Sequence, residues 1–311
     1  MVNKIKFYNN FRVTEVHKHS ILLIGNFDGL HLGHQKLFKS ANNYKKNFKL
    51  KIGIITFEPA PKMYFNKNIK NFRISNLEQK KVFLKKLGID FVIIKKFDKK
   101  FSKIKSYQFI RNILWKSLKA KYIFVSDNFR FGNKREGDVK QLIKNEKEFG
   151  FKIIKPKPLV LKNKVISSTL IRNLLSNGKL KYANQLLARK WSIESRVQKG
   201  RQVGQKIGFP TCNMDIKDYV IPKLGVYAVR VHQKKNRKIL KGIANIGYRP
   251  TFNQKKILLE VYIFNFSGNL YNKYLTIEFI NFIRKEKKFK NINQLKKQIN
   301  SDLILAKKKL N

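Results

Sequence analysis

The sequence predicts two folds in tandem: an α/β domain on a doubly wound parallel sheet, then an antiparallel β-barrel domain with a C-terminal helix. Three observations carry this. In the first half, short continuous apolar runs alternate with stretches of helical spacing, the pattern of strands buried on both faces with helices crossing between them. In the second half, strand-like segments follow one another with only turns between them until a last helical stretch. At 311 residues the chain can build two cores.

The first buried strand is Ile21–Ile24, which runs into the turn GNFDGLHLGH, Gly25–His34. Apolar residues at Leu37, Ala41, Tyr44 and Phe48 then mark a helix. Gly25, Gly29 and Gly33 let the backbone approach a ligand, and His31 and His34, three apart at the helix entrance, share one side. The unpaired N–H groups of a first helical turn carry partial positive charge, so imidazoles beside them make a site for anionic oxygens. A glycine-rich turn with two surface histidines is the plainer reading.

Further strands are expected at Leu50–Phe57, Phe91–Ile94, Tyr122–Val125 and Phe151–Ile154, with helices near 76–87, 106–118 and 138–149. In such sheets ligands bind beyond the carboxyl ends of the strands, so the strand exits matter most. One exit reads TFEPAP, Thr56–Pro61, where prolines end the strand and Phe57 offers an aromatic face. Another is the polar loop from Val125 to Gly137, whose Asp127 and Asn128 either cap their own turn or cover a ligand site. In ISSTLIRNLL, Ile166–Leu175, Ser168 and Thr169 are suited to cap a helix with an apolar face of Leu170, Ile171, Leu174 and Leu175, stopped by Asn177 and Gly178. Arg172 lies four residues after Ser168 on the same face, next to the helix's N-terminal donors, which suits a second phosphate grip.

Helical spacing over 179–188 gives way to β alternation from Trp191, placing the boundary near 185, with domains 1–185 and 186–311. Strands are expected at 191–198, 225–233, 239–246, 257–266 and 274–283, and a helix at Ile292–Leu305. Two stretches here carry chemistry. In GRQVGQKIGFPTCN, Gly200–Asn213, Gly204 and Gly208 bring backbone donors near a ligand, and Pro210 fixes the loop so that the Thr211 hydroxyl can meet a hard cation. An ordinary glycine-rich hairpin is the alternative. In LLEVYIF, Leu258–Phe264, Glu260 is the one charged residue of an apolar strand, so it must be paired, protonated or working.

Composition narrows the function classes. A single cysteine, Cys212, excludes a disulfide framework and a cysteine metal cluster. Residues 1–20 hold no apolar run and no segment is long enough to span a bilayer, so a cytoplasmic protein without a membrane is expected. The net charge of +52 comes from 70 Lys and Arg against 18 Asp and Glu, spread along the whole chain without a recognition motif. Such a charge predicts weak, salt-sensitive, sequence-independent contact with nucleic acid and no specific complex.

GNFDGLHLGH resembles the HxGH signature of nucleotidyltransferases, and with ISSTLIR, GQKIGFPTCN and the Glu260 strand the chain resembles the bacterial bifunctional riboflavin kinase/FAD synthetase (FMN adenylyltransferase) family. GIANIGYRPT, Gly242–Thr251, and FIRKEKKF, Phe282–Phe289, extend the likeness over about residues 20–305. The resemblance implies riboflavin, FMN and ATP as substrates, Mg²⁺ as cofactor, and FMN and FAD as products, in a monomer or small homo-oligomer. It implies that His31, His34 and Arg172 act in adenylyl transfer, that Gly25, Asn26, Phe27, Asp28, Gly33, Ser167, Ser168 and Thr169 hold that ATP, and that Phe57, Asp127 and Asn128 lie by the flavin. For the kinase it implies Glu260 as base, Gly204, Gly208, Pro210, Thr211 and Asn213 at ATP, and Thr211 at Mg²⁺. The chain departs from the family at Ala60 (usually His), Ser126 (Gly), Asn128 (acidic), Gln205 (Arg), Cys212 (Ala) and Asn272 (Gly). A basic nucleic-acid-binding protein on the same folds, with one or both activities lost, is the alternative these departures leave.

Overall fold

The structure is a computed structural model and describes residues 5–69, 71–200, 203–233, 236–250 and 255–311. Thr251 lies outside them. The chain forms two compact units, one of residues 1–69 and 80–166, the other of residues 70–79 and 167–311.

The first unit is built on six parallel strands: β1 (Lys6–Tyr8), β2 (Ile21–Ile24), β3 (Ile52–Glu58), β4 (Phe91–Lys96), β5 (Tyr122–Phe124) and, after a small hairpin, β8 (Lys152–Ile154). That hairpin, β6 (Arg130–Phe131) with β7 (Gly137–Asp138), folds the polar loop back on itself. The sheet order is β1-β4-β3-β2-β5-β8. Successive strand residues alternate between two apolar clusters: Leu22, Ile24, Ile55, Ile93 and Ile123 face one, and Ile21, Leu23, Ile54, Val92 and Phe124 the other. Burial on both faces is why these strands read as continuous apolar runs. The chain proceeds outward from β2 through β3 to β4, then returns to lay β5 on the other side of β2. In doubly wound sheets ligands bind at such a reversal, here the carboxyl ends of β2 and β5.

Helices Leu32–Phe48 and Leu77–Leu84 fall where the spacing predicts them. The expected 106–118 helix starts as one α turn, Ser106–Gln108, and continues as a π-helix, Phe109–Ser117. The 138–149 stretch divides into Val139–Lys144 and Glu146–Phe149, because Asn145 turns its amide back onto the Gln141 carbonyl at 2.8 Å. The three-residue edge strand β1 is too short to carry a periodic signal.

In the second unit, helices Ser168–Ser176 and Leu180–Leu187 lead into a closed barrel, after the two-residue strands β9 (Val160–Leu161) and β10 (Lys164–Val165) of the first unit. The barrel strands are β11 (Ser192–Gln198), β12 (Cys212–Asp215), β13 (Gly225–Gln233), β14 (Asn236–Pro250), β15 (Lys255–Ile263) and β16 (Tyr274–Arg284). They close in the order β11-β12-β15-β14-β13-β16, all antiparallel. Strand β12, with sequence CNMD, lacks the apolar run that would announce it, and a one-turn helix, Val203–Lys206, interrupts the glycine-rich stretch before it. The helix Ile292–Leu310 packs Ala306 and Leu310 against Val226, Ala228 and Ile243. Residues 71–79 belong to this unit as a strap. Arg73 bridges Tyr219 in parallel, Ile74 O accepts the Trp191 indole N–H at 2.9 Å, and the Tyr219 hydroxyl donates to Gln79 at 2.8 Å. Asn272, where the family has glycine, sits at φ 64°, a left-handed position that asparagine tolerates.

Candidate active sites in the two units

The first site grows from the end of β2. Gly25 N–H still donates to Ile55 O at 3.0 Å, and then the chain turns sharply, with Phe27, Gly29 and Leu30 all at positive φ. Phe27 turns its ring inward, packing on Phe38 and edge-on to His34. His31 caps the helix Leu32–Phe48: its Nδ1 accepts the His34 N–H at 3.4 Å, which leaves Nε2 as the proton-bearing nitrogen of the neutral ring. The two imidazoles stack with centroids 3.7 Å apart and planes 20° from parallel. Gly33 is required there, since a Cβ would stand 2.9 Å from Ile166 O and 3.1 Å from the His31 ring.

Electrostatics fit an anion. His34 is held well below the usual imidazole range, first by burial and then by the nearby His31 and Lys80 charges. Its Nδ1 is buried without a hydrogen-bond partner. Lys80, 6 % exposed, donates from Nζ to Asn26 O at 2.8 Å, and the Thr56 hydroxyl reaches the same carbonyl at 3.4 Å. The turn therefore collects His31, His34, Asn26 and Lys80 at the start of the helix Leu32–Phe48. Sequence reasoning missed Lys80, because one lysine among 70 cationic residues carries no mark.

Phe57 lines a cavity of about 110 Å³ in the same unit with Phe97, Phe101, Phe129 and Phe131. Asp127 and Asn128 sit just before it on an exposed turn, Asp127 3.6 Å from Lys155 and Asn128 accepting from the Ser126 hydroxyl at 2.8 Å. Ala60 precedes the one-turn helix Pro61–Phe65 without a side-chain cap. In the second unit, Ser167 and not Ser168 caps the helix, its Oγ accepting from Leu170 N–H at 3.2 Å; the extended backbone of Ser167 leaves Ser168 already helical. Thr169 is exposed. Arg172 donates from Nε to Phe72 O at 2.7 Å and lays its guanidinium 3.7 Å over the Phe72 ring.

The second site is assembled by strand register. Glu260 on β15 stands directly opposite Asn213 on β12 and Asn245 on β14, and directly opposed residues share a face. Glu260, Asn245, Thr211 and Gly204 line one cavity of about 340 Å³, whose other walls include Val226, Ile243, Phe289, Leu295 and Ile299. Gly204 makes room for the loop: a Cβ would stand 2.4 Å from Phe209 O. Asn213 is buried and its Oδ1 has no hydrogen-bond partner. Pro210, Gly208 and Gln205 are exposed. Burial pushes the Cys212 thiol up to about 11, so it stays protonated and acts as the small apolar residue it replaces. Asn245 carries the same signal as Glu260, a polar residue inside an apolar strand, and the same reasoning would have found it. No cluster of three or more His, Cys, Asp and Glu suited to a metal occurs among the described residues.

Residues 13–170 match the family model for FAD synthetase and residues 187–310 that for riboflavin kinase. A bifunctional riboflavin kinase/FMN adenylyltransferase of Buchnera aphidicola subsp. Schizaphis graminum is 38% identical over 96% of this chain and 96% of its own length. The one from Haemophilus influenzae is 39% identical over 92% of each chain, and that from Escherichia coli K12 36% identical over 92% of this chain and 91% of its own. A solved structure described as a macrolide-efflux protein from Streptococcus pneumoniae superposes with a TM-score of 0.84 at 27% identity, covering 97% of this chain and 98% of that one. No helix among the described residues is long and apolar enough to cross a membrane.

Proposed function

Since the chain belongs to the bifunctional riboflavin kinase/FMN adenylyltransferase family, we propose that it phosphorylates riboflavin to FMN in the barrel unit and adenylylates FMN to FAD with the HxGH turn, using ATP twice. We assign the adenylyltransferase to residues 1–185 and the kinase to 186–311, a division that the limits of the two family matches, 170 and 187, support. The alternative of a nucleic-acid-binding protein that has lost its activities finds no support in those matches.

In the kinase, Glu260 accepts the proton of the riboflavin 5′-hydroxyl as that oxygen bonds to the γ-phosphorus of ATP and the bond to the ADP oxygen breaks. The observation that carries this is the row Asn213–Glu260–Asn245, which sets a carboxylate between two amide side chains beside a cavity of about 340 Å³. Thr211 and Asn213 offer neutral oxygens, the Asn213 one buried and unpartnered, which fits a hard cation such as Mg²⁺. Bound there, Mg²⁺ would neutralise charge on the ATP phosphates.

Adenylyl transfer needs no protein nucleophile. The FMN phosphate, with a second pKa of about 6 by analogy with phosphoesters, attacks the α-phosphorus itself and pyrophosphate leaves. The protein's part is alignment and charge neutralisation, for which His31, His34 and the helix N–H groups are suited. Arg172, with Ser167, Ser168 and Thr169, is assigned the second phosphate grip. Phe57 and its aromatic cavity are assigned to the flavin ring. In the cytoplasm, where we place the enzyme, its lysine excess holds nucleic acid only weakly, and several hundred millimolar salt removes it.

The deciding experiment incubates the protein with riboflavin, ATP and Mg²⁺ and separates the flavins. FMN followed by FAD is expected. Absence of FAD when FMN is supplied would remove the first assignment, and absence of FMN the second.

A further inference from the structure

Asp302 has no part in the chemistry above, yet it is 1 % exposed in the C-terminal helix. A buried carboxylate is expensive unless it is paired and hydrogen-bonded. Arg284, the last residue of β16, supplies the partner: Nε–H reaches both carboxylate oxygens at 2.9 and 3.0 Å, and Nη2 donates to Oδ2 at 2.8 Å. Gln298, one helical turn earlier, donates to Oδ1 at 3.0 Å. The same guanidinium donates from Nη1 to Lys285 O at 2.9 Å and lies 5.8 Å from the Phe289 ring. It also opposes the upward push that burial gives the Glu286 carboxyl.

One arginine thus ties together the end of a barrel strand, the 285–289 segment and the C-terminal helix. All three border the cavity that holds Glu260 and Thr211. The helix contributes Leu295 and Ile299, seven and three residues before Asp302 and therefore on its face. The barrel core holds the far end of that helix through Ala306 and Leu310, whereas Leu295 and Ile299 are only partly buried. The ion pair sits between these two parts and sets where the cavity wall stands.

Resting on the kinase reading above, we propose that Arg284 and Asp302 are a positioning pair for riboflavin phosphorylation. They fix Leu295, Ile299 and Phe289 as the wall against which the flavin ring lies, so that its 5′-hydroxyl meets Glu260. Both side chains line the same cavity, but their hydrogen bonds run to one another, to Gln298 and to the Lys285 carbonyl. Loss of the pair is expected to act on the flavin and spare the nucleotide.

The test is steady-state kinetics of Asp302→Asn, which keeps the side-chain volume and removes the charge, with Arg284→Lys as a second variant that keeps the charge and loses the fork. Each should lower kcat/KM for riboflavin about ten- to a hundredfold, the scale of a misplaced substrate, through a raised KM. The KM for ATP should stay within about twofold, and adenylylation of supplied FMN should equal that of wild type. Parallel rises in both KM values with a lowered Tm would overturn the proposal, as would an unchanged riboflavin KM in either folded variant. Failure of both variants to fold would also overturn it, making the pair structural only. A wild-type chain that makes no FMN would sink the kinase reading, and the pair's role with it.

Discussion

The HxGH turn and the barrel cavity, the two sites assigned above to phosphate chemistry, are put together in opposite ways. The turn is contiguous: Gly25, Asn26, His31, Gly33 and His34 come from one stretch of ten residues, and the strand-to-helix junction alone brings them together. The barrel site draws Gly204 and Thr211, Asn245 and Glu260 from three separate segments, and only strand register unites them. A contiguous site is fixed by local backbone geometry, so its weak point is steric. A registered site is fixed by the whole barrel, so its weak point is the single side chain proposed to do the chemistry, Glu260.

The largest effect should come from the registered site. Glu260→Gln, isosteric and unable to take a proton, should slow FMN formation by about 10²- to 10⁴-fold while FMN adenylylation is untouched. Unchanged kinase turnover would take Glu260 out of the mechanism. His31→Ala should lower FAD formation from FMN by about 10²- to 10³-fold, the scale of losing one preorganised electrostatic group, with riboflavin phosphorylation intact. Equal loss of both activities would erase the distinction between the two sites.

Smaller effects probe the steric side. Gly33→Ala should cost about 1–3 kcal/mol of stability, because the new methyl meets the Ile166 carbonyl and the His31 ring in a packed turn. Urea unfolding of the variant checks this, and an unchanged midpoint would show that the turn yields. The smallest effect concerns pH. His34 has a lowered pKa in the folded chain, so above its ordinary value of 6.5 the folded state carries no penalty, and stability is lost as pH falls through 6.5. His34→Gln should flatten that part of the Tm–pH curve, and identical curves for variant and wild type would contradict it.

How much of this the sequence shows follows the same contrast. The strand-to-helix course of the turn was legible, because strand, glycines and histidines are adjacent and each has a local reason. In the barrel, Glu260 stood out as a charge in an apolar strand, but β12 did not, and its pairing with β15 cannot be read from CNMD. Ser168 reads as the helix cap on composition, whereas backbone dihedrals decide it for Ser167. Lys80 and Asp302 were hidden for another reason: their roles come from burial, and burial of a charged residue is a tertiary property. The departures from the family pattern fall mainly on exposed positions, Asn128 and Gln205 among them, where a lysine- and asparagine-rich composition meets least resistance.

The strap of residues 71–79 has a consequence for heredity. It is encoded amid the sheet strands of the first unit, yet the barrel unit depends on it: without it the Trp191 indole N–H and the Tyr219 hydroxyl each lose a partner, at about 1–3 kcal/mol per buried group. A gene split between codons 185 and 186 would give two products, and the barrel product would lack part of its own fold. Fission at that point leaves the barrel product without those hydrogen bonds and correspondingly less stable. The barrel fold is in this sense tied to the first unit's stretch of the gene by nine residues, 71–79.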